Sequence, residues 1–299
     1  MAKKRGKGPS SWATAAAGFI IGVAVVFLII KFTGNDKAER PDIVKPPVAT
    51  TLPGERGPET VIPDTADGRT AVHPVVTPPR VSIVIDDMGA DLEKLRALMR
   101  LDSPITIAVM PHLKYSAQVA TEAHARGWDV IMHLPMEPQD MGENDPGVGA
   151  LLVVMTPEEV RTQMVNDFKT VPYALGVNNH MGSKFTEDAE LMKVVMQEVK
   201  KKKMFFLDSR TSPDSVVEKL ARSMKVDSAV RNVFLDNTRE KGYIKGQIRE
   251  LVSIAKKRGK AIGIGHPYPE TIEALAETVD ELGRQGVTVV RLSDLVESR

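Results

Sequence analysis

The stretch VSIVIDDMG, residues 81–89, runs a strand-like apolar segment directly into two adjacent carboxylates, Asp86 and Asp87. Further along, His112, His133, His180, Asp208, Asp236 and His266 each stand at or just past the end of another short apolar run. The chain has no cysteine, which removes thiol nucleophiles, disulfides and thiolate metal sites together. A mixed histidine and carboxylate set without sulfur suits Zn²⁺ or a similar divalent ion, held by three side chains with a position left for water. Adjacent aspartates can then divide the work, one binding the ion and the other accepting a proton from the attacking water. The competing role for Asp87 or Asp91 is to cap the helix that follows, which accounts for one aspartate more readily than for the pair.

Eight apolar runs must position these groups: 81–85, 105–110, 128–132, 173–177, 204–207, 232–235, 261–265 and 287–290. Amphipathic stretches such as DLEKLRALMR, SAQVATEAHARG, TPEEVRTQMVNDFK, EDAELMKVVMQEVKKK and PETIEALAETVDELGRQG separate most of them. The pattern is β-α repeated, which predicts an α/β fold with a parallel sheet covered by helices, and seven to eight such units suggest a closed or nearly closed barrel more than an open sheet. In such a sheet all strand C-termini open on one face, so residues scattered along the chain can surround one point. The basic runs at 201–203 and 256–259 fall at helix ends, where cations favour the dipole. His124 reads as a surface or packing residue and His73 as inert.

Composition sets the wider frame. With 42% hydrophobic residues the 299-residue chain can bury a sizeable core, and 40 basic against 39 acidic residues leave no global field to attract nucleic acid. Residues 1–11 are basic and free of acid, and Trp12–Ile30 is an uncharged apolar run long enough to span a bilayer. Residues 12–32 are therefore expected to be an uncleaved transmembrane anchor with a cytoplasmic N-terminus, because a signal peptide has a shorter apolar core and a small-residue cleavage site. Residues 33–79 are rich in proline and lack periodicity, as a tether would. Residues 80–299 form the expected folded domain. It would lie on the periplasmic side of a bacterial inner membrane, crossed once.

The segments IDDMG, MPHLKYSAQVATEAHARGWDVIMHLPMEP, NNHMGSKFTED, LDSRTS and IGIGHPYPETI resemble the divergent polysaccharide deacetylases, a bacterial envelope branch related to carbohydrate esterases that remove N-acetyl groups from sugar polymers. The resemblance spans about residues 80–298 and implies an irregular (β/α) barrel of seven to eight strands that acts as a metal-dependent hydrolase on non-peptide C–N bonds of a glycan, peptidoglycan being a candidate. It implies Asp86 as catalytic base, Asp87 and His133 as metal ligands and His266 as general acid. The wider family's second motif is His-x-x-x-His, and here Glu137 stands in the place of the second histidine. Pro135 disfavours a helical i, i+4 pair there, so His180 is the rival third ligand. The family's Arg-x-Pro-Tyr motif is replaced by NNHMGS. Glu137, His112, Asp208 and Asp236 remain as additional ligands or substrate contacts. The competing class is a catalytically inactive module that keeps the barrel to bind glycan or a cell-wall enzyme.

Overall fold

The computed structural model describes residues 77–297, so the expected basic segment and anchor, and all but the last residues of the tether, lie outside the described residues. Among the described residues no helix is long and apolar enough to cross a membrane.

Among the described residues strands and helices alternate, except that the sixth strand passes directly into the seventh. The strands are β1 (Arg80–Met88), β2 (Thr106–Val109), β3 (Val130–Met136), β4 (Gly176–Met181), β5 (Phe205–Asp208), β6 (Ser228–Val230), β7 (Val233–Phe234), β8 (Lys260–Gly265) and β9 (Thr288–Val289). The helices are α1 (Leu92–Leu98), α2 (Ser116–Ala125), α3 (Pro157–Thr170), α4 (Ala189–Lys201), α5 (Val217–Met224), α6 (Lys241–Arg258) and α7 (Pro269–Arg284). Local chemistry sets several boundaries. Thr156 and Glu159 form a capping box ahead of α3, and Asp188 accepts from Glu190 N and Leu191 N to start α4.

Strand order is β6-β5-β4-β3-β2-β1-β8-β7, all pairings between strands are parallel, and β9 takes the lower part of β1. β6 and β7 stand at opposite ends of that order, yet only Arg231 and Asn232 separate them. Three Cα steps reach at most about 11 Å, so the sheet must curl until its ends face each other across that dipeptide. The result is a curled, irregular half-barrel of parallel strands, nine among the described residues where seven to eight were expected, with a seam between β6 and β7. Each of the eight apolar runs has a strand, and β6 is the one that the sequence did not announce.

Two apolar clusters divide the strands by parity. Ile83, Ile85, Ile107 and Val109 face the helices, while Val84, Ala108, Ile131, Leu207, Ala229 and Ile264 fill the barrel with Leu292 and Leu295 from the C-terminal segment. Both faces are apolar because helices cover the outside and the barrel is packed within. Truncating Ile131 to alanine would cost about 2–5 kcal/mol, since the fully enclosed layer has little room to collapse.

Candidate metal and acid-base site

The site grows from the inner layer by strand periodicity. Two residues beyond the inner residues Val84, Ile131, Leu207 and Ile264 stand Asp86, His133, Ser209 and His266. Side chains at i and i+2 share a face, so a rigid apolar layer carries a polar layer on top of it. β3 pairs with β4 so that His133 lies opposite Asn178, and His180 follows Asn178 on the same face. These strands run further than the apolar runs suggest: Asp86, Asp87, His133 and His180 lie within β1, β3 and β4, not in loops after them.

Asp87 breaks the alternation. Its φ of 55° and the register shift between Ile85 and Met88 turn its carboxylate toward the same space as that of Asp86. A left-handed residue other than glycine costs on the order of 1 kcal/mol, and aspartate tolerates it better than most.

Asp87 Oδ1 lies 3.2 Å from His133 Nε2 and 3.0 Å from His180 Nδ1, and the two ring nitrogens are 3.1 Å apart. Asp87 Oδ1 is also buried without a hydrogen bond, which is costly unless something else satisfies it. A tetrahedral ion with bonds of about 2.0–2.1 Å has ligands about 3.3 Å apart. The triangle Asp87, His133 and His180 therefore fits a divalent cation, and among the described residues it is the one cluster of at least three such groups with converging ligand atoms. His133 is further fixed because its Nδ1 donates to Asn178 Oδ1 at 2.9 Å, leaving the Nε2 lone pair for an ion.

The charges follow from burial and crowding. Burial pushes the Asp86 carboxyl up, against the opposing pull of His133 and His266. Burial would raise Asp87 too, but His133 and His180 hold it well below the usual carboxylate range. Burial would lower His133, yet Asp86 and Asp87 outweigh that and push it up to about 9. Asp86 Oδ1 accepts from Asn178 Nδ2 at 2.9 Å, and the same amide nitrogen reaches Ser209 Oγ at 3.2 Å.

His266 closes the far side, its Nε2 3.8 Å from Asp87 Oδ2. Asp236 backs it: Oδ1 meets His266 Nδ1 at 3.0 Å, while Oδ2 accepts from His266 N at 2.5 Å and from Thr271 Oγ1 at 2.8 Å. Gly265 permits this approach, because a Cβ there would sit 3.1 Å from Asp236 Oδ2. Burial would depress His266, but the hydrogen bond and charge of Asp236 prevail and hold it above the ordinary histidine value.

The other expected residues stand elsewhere. Glu137 does not join the cluster: its carboxylate accepts from Lys184 Nζ and from Val153 N, each at 2.6 Å. Residues four apart on an extended strand are separated by about 13 Å, so His133 and Glu137 cannot act as a helical pair would. His112 bonds Asp167 of α3 at 2.7 Å instead of an ion. Asp208 has the wrong parity, since its neighbour Leu207 faces inward; it accepts from Arg210 N and Ser215 Oγ. Asp236 supports His266 and does not converge on the triangle. Asn178 and Ser209 escaped the sequence reading, and the signal available was their place two residues beyond an inward position on a neighbouring strand.

The sequence profile of the divergent polysaccharide deacetylase family matches residues 83–296. The chain belongs to this family. The matched span holds every residue of the site just described. Among the relatives of this deacetylase-family domain, the Escherichia coli protein YibQ is 33% identical over 217 residues, covering 73% of this chain and 67% of that protein. A Haemophilus influenzae protein is 36% identical over 196 residues, covering 66% of this chain and 69% of that protein. The crystal structure of a protein from Agrobacterium tumefaciens shares the fold, with a TM-score of 0.70 at 23% identity over 74% of this chain and 90% of that one.

Proposed function

We propose that the protein is a membrane-anchored, metal-dependent hydrolase that removes acetyl groups from an N-acetylated polysaccharide, with peptidoglycan the foremost candidate. The observation that carries this reading is the triangle of Asp87, His133 and His180 flanked by a buried carboxylate, Asp86, and a carboxylate-backed imidazole, His266. Family membership supplies the substrate class. A bound divalent ion such as Zn²⁺ would supply Lewis acidity toward the scissile carbonyl and lower the pKa of water.

Asp87, His133 and His180 are assigned as the ion's ligands. Asp86 takes the proton from the attacking water; burial raises its basicity and Asn178 holds Oδ1, leaving Oδ2 free on the His133 side. His266, which Asp236 holds above the ordinary histidine value, gives its proton to the departing nitrogen. The C–N bond breaks, the nitrogen leaves as a free amine and the acyl group leaves as acetate. Rigid strands hold both groups, which favours a fixed geometry over a mobile loop.

The anchor proposal rests on the apolar run within residues 12–32 and the tether proposal on the proline-rich residues 33–79; their sequence supports a domain held outside the cytoplasm at an inner membrane. The test of function is metal content of the purified full-length protein together with acetate release from chitooligosaccharide and from peptidoglycan. About one ion per chain with metal-dependent acetate release is expected. A protein that binds these glycans without releasing acetate, ion or no ion, would overturn the reading in favour of a binding module.

A further inference from the structure

The end of the barrel remote from the site is strongly basic. The parallel topology puts the start of each strand and the end of the helix before it at that end. There α4 runs out into Lys200–Lys203, α5 is followed by Lys225, and α6 finishes in Lys256, Lys257 and Arg258. One or two cations suffice to complement a helix dipole. The excess is the informative part. Lys203 and Lys225 lie beyond their helices with φ of 56° and 54°, a conformation for which α6 uses Gly259. Among the described residues the lysines that form ion pairs at this end are Lys201, with Glu198, and Lys260, with Glu297; Lys203, Lys225, Lys256 and Lys257 are not among them. A groove of about 580 Å³ lies between the ends of α4 and α5, with Lys200, Lys201 and Lys225 in its wall.

The chain enters the domain at this same end. Arg80 opens β1, and its N–H donates to Gly259 O at 2.9 Å, the residue that ends the basic run of α6. Pro79, immediately before β1, accepts from Thr288 N and so also stands at this end, on the side away from Asp86 and His266.

We propose that this basic end docks on the anionic phospholipid surface of the membrane that holds the anchor, turning the mouth of the site outward. The inference rests on the anchored reading and is independent of catalysis. Tethering keeps the domain near the lipid, so several weak attractions of phosphate headgroups for lysine are sufficient to orient it. The attraction must weaken with salt, because the charges are exposed and act over a Debye length of about 10 Å at 0.1 M.

Absence of native cysteine makes the test direct. The full-length protein is reconstituted in vesicles with a single labelled cysteine, either Ser223→Cys in the basic groove or Met141→Cys in the loop after β3 on the site's side. Energy transfer to a headgroup acceptor is then compared in phosphatidylglycerol-containing and pure phosphatidylcholine vesicles. The expected result is severalfold stronger transfer from position 223 than from position 141 in the anionic vesicles only. That difference should collapse at high salt and in the Lys225→Glu/Lys256→Glu/Lys257→Glu variant, whose metal content and circular dichroism stay those of the parent. Equal transfer from both positions, or a difference indifferent to lipid charge and salt, overturns the proposal, as does binding only to a soluble polyanion. A full-length protein that fails to float with neutral vesicles overturns the anchor instead, while acetate release separately reports on the hydrolase reading.

Discussion

Asp86 and Asp87 are neighbours in sequence, and both carboxylates face the same atom, His133 Nε2, at 3.6 and 3.2 Å respectively. An ideal strand would send them to opposite faces. The left-handed turn at Asp87 brings them together, so one backbone irregularity sets the carboxylate of the Asp87, His133 and His180 cluster beside the buried carboxyl of Asp86.

Alanine at Asp87, His133 or His180 should lower ion binding while leaving the fold intact, and Glu137→Ala should do the reverse. Losing the Glu137 carboxylate strands Val153 N and frees Lys184, at a cost of about 1–3 kcal/mol in unfolding free energy. Metal stoichiometry and denaturant midpoints measured on all four variants check this; loss of the ion in Glu137→Ala would restore it as a ligand.

Ion uptake should release a proton. In the ion-free site His133 is held protonated to about pH 9, and an ion needs the neutral ring. Affinity should therefore rise as pH increases toward 9 and level off above it. Calorimetry in buffers of different ionisation heat should count close to one proton released near pH 7 from this histidine.

Asp236→Asn should keep the ion and lower turnover, by about 10²-fold or more if His266 is the acid. Removing the carboxylate removes what holds His266 above its ordinary value, so the alkaline limb of the rate profile should move to lower pH. A profile that only scales down, with its limb unmoved, would leave Asp236 a merely structural role.

Away from the site, burial raises the Asp167 carboxyl to about 6, above the value it has in an unfolded chain, and its Oδ2 lacks a partner. The folded state thus binds the proton more tightly between about pH 4 and 6, and stability falls as pH rises through that window. Asp167→Asn can keep an oxygen toward His112 and Gln163 and should flatten this slope, gaining about 1–2 kcal/mol at pH 7. Thermal melts across that range test it.

The alternation of apolar runs with amphipathic stretches was enough to place the sheet, its helices and the end where the polar residues gather. It could not say which of them turn inward. Strands apolar on both faces hide their parity, so Asp208 and His266 looked alike until Leu207 and Ile264 were both found inside the barrel. The aspartate then falls outward and the histidine inward. β6 spans three residues, too short to show a period. Asn178 is an uncharged amide whose importance comes only from its register opposite His133.

The central claim is tested most directly by acetate release from an N-acetylated glycan, measured on metal-loaded full-length protein beside its Asp86→Asn and His266→Ala variants with the ion content of each determined. The account predicts that all three hold the ion, that the parent releases acetate, and that the two variants are slower by about 10²–10⁴-fold. Parent release no faster than that of the variants, at equal ion content, would contradict it.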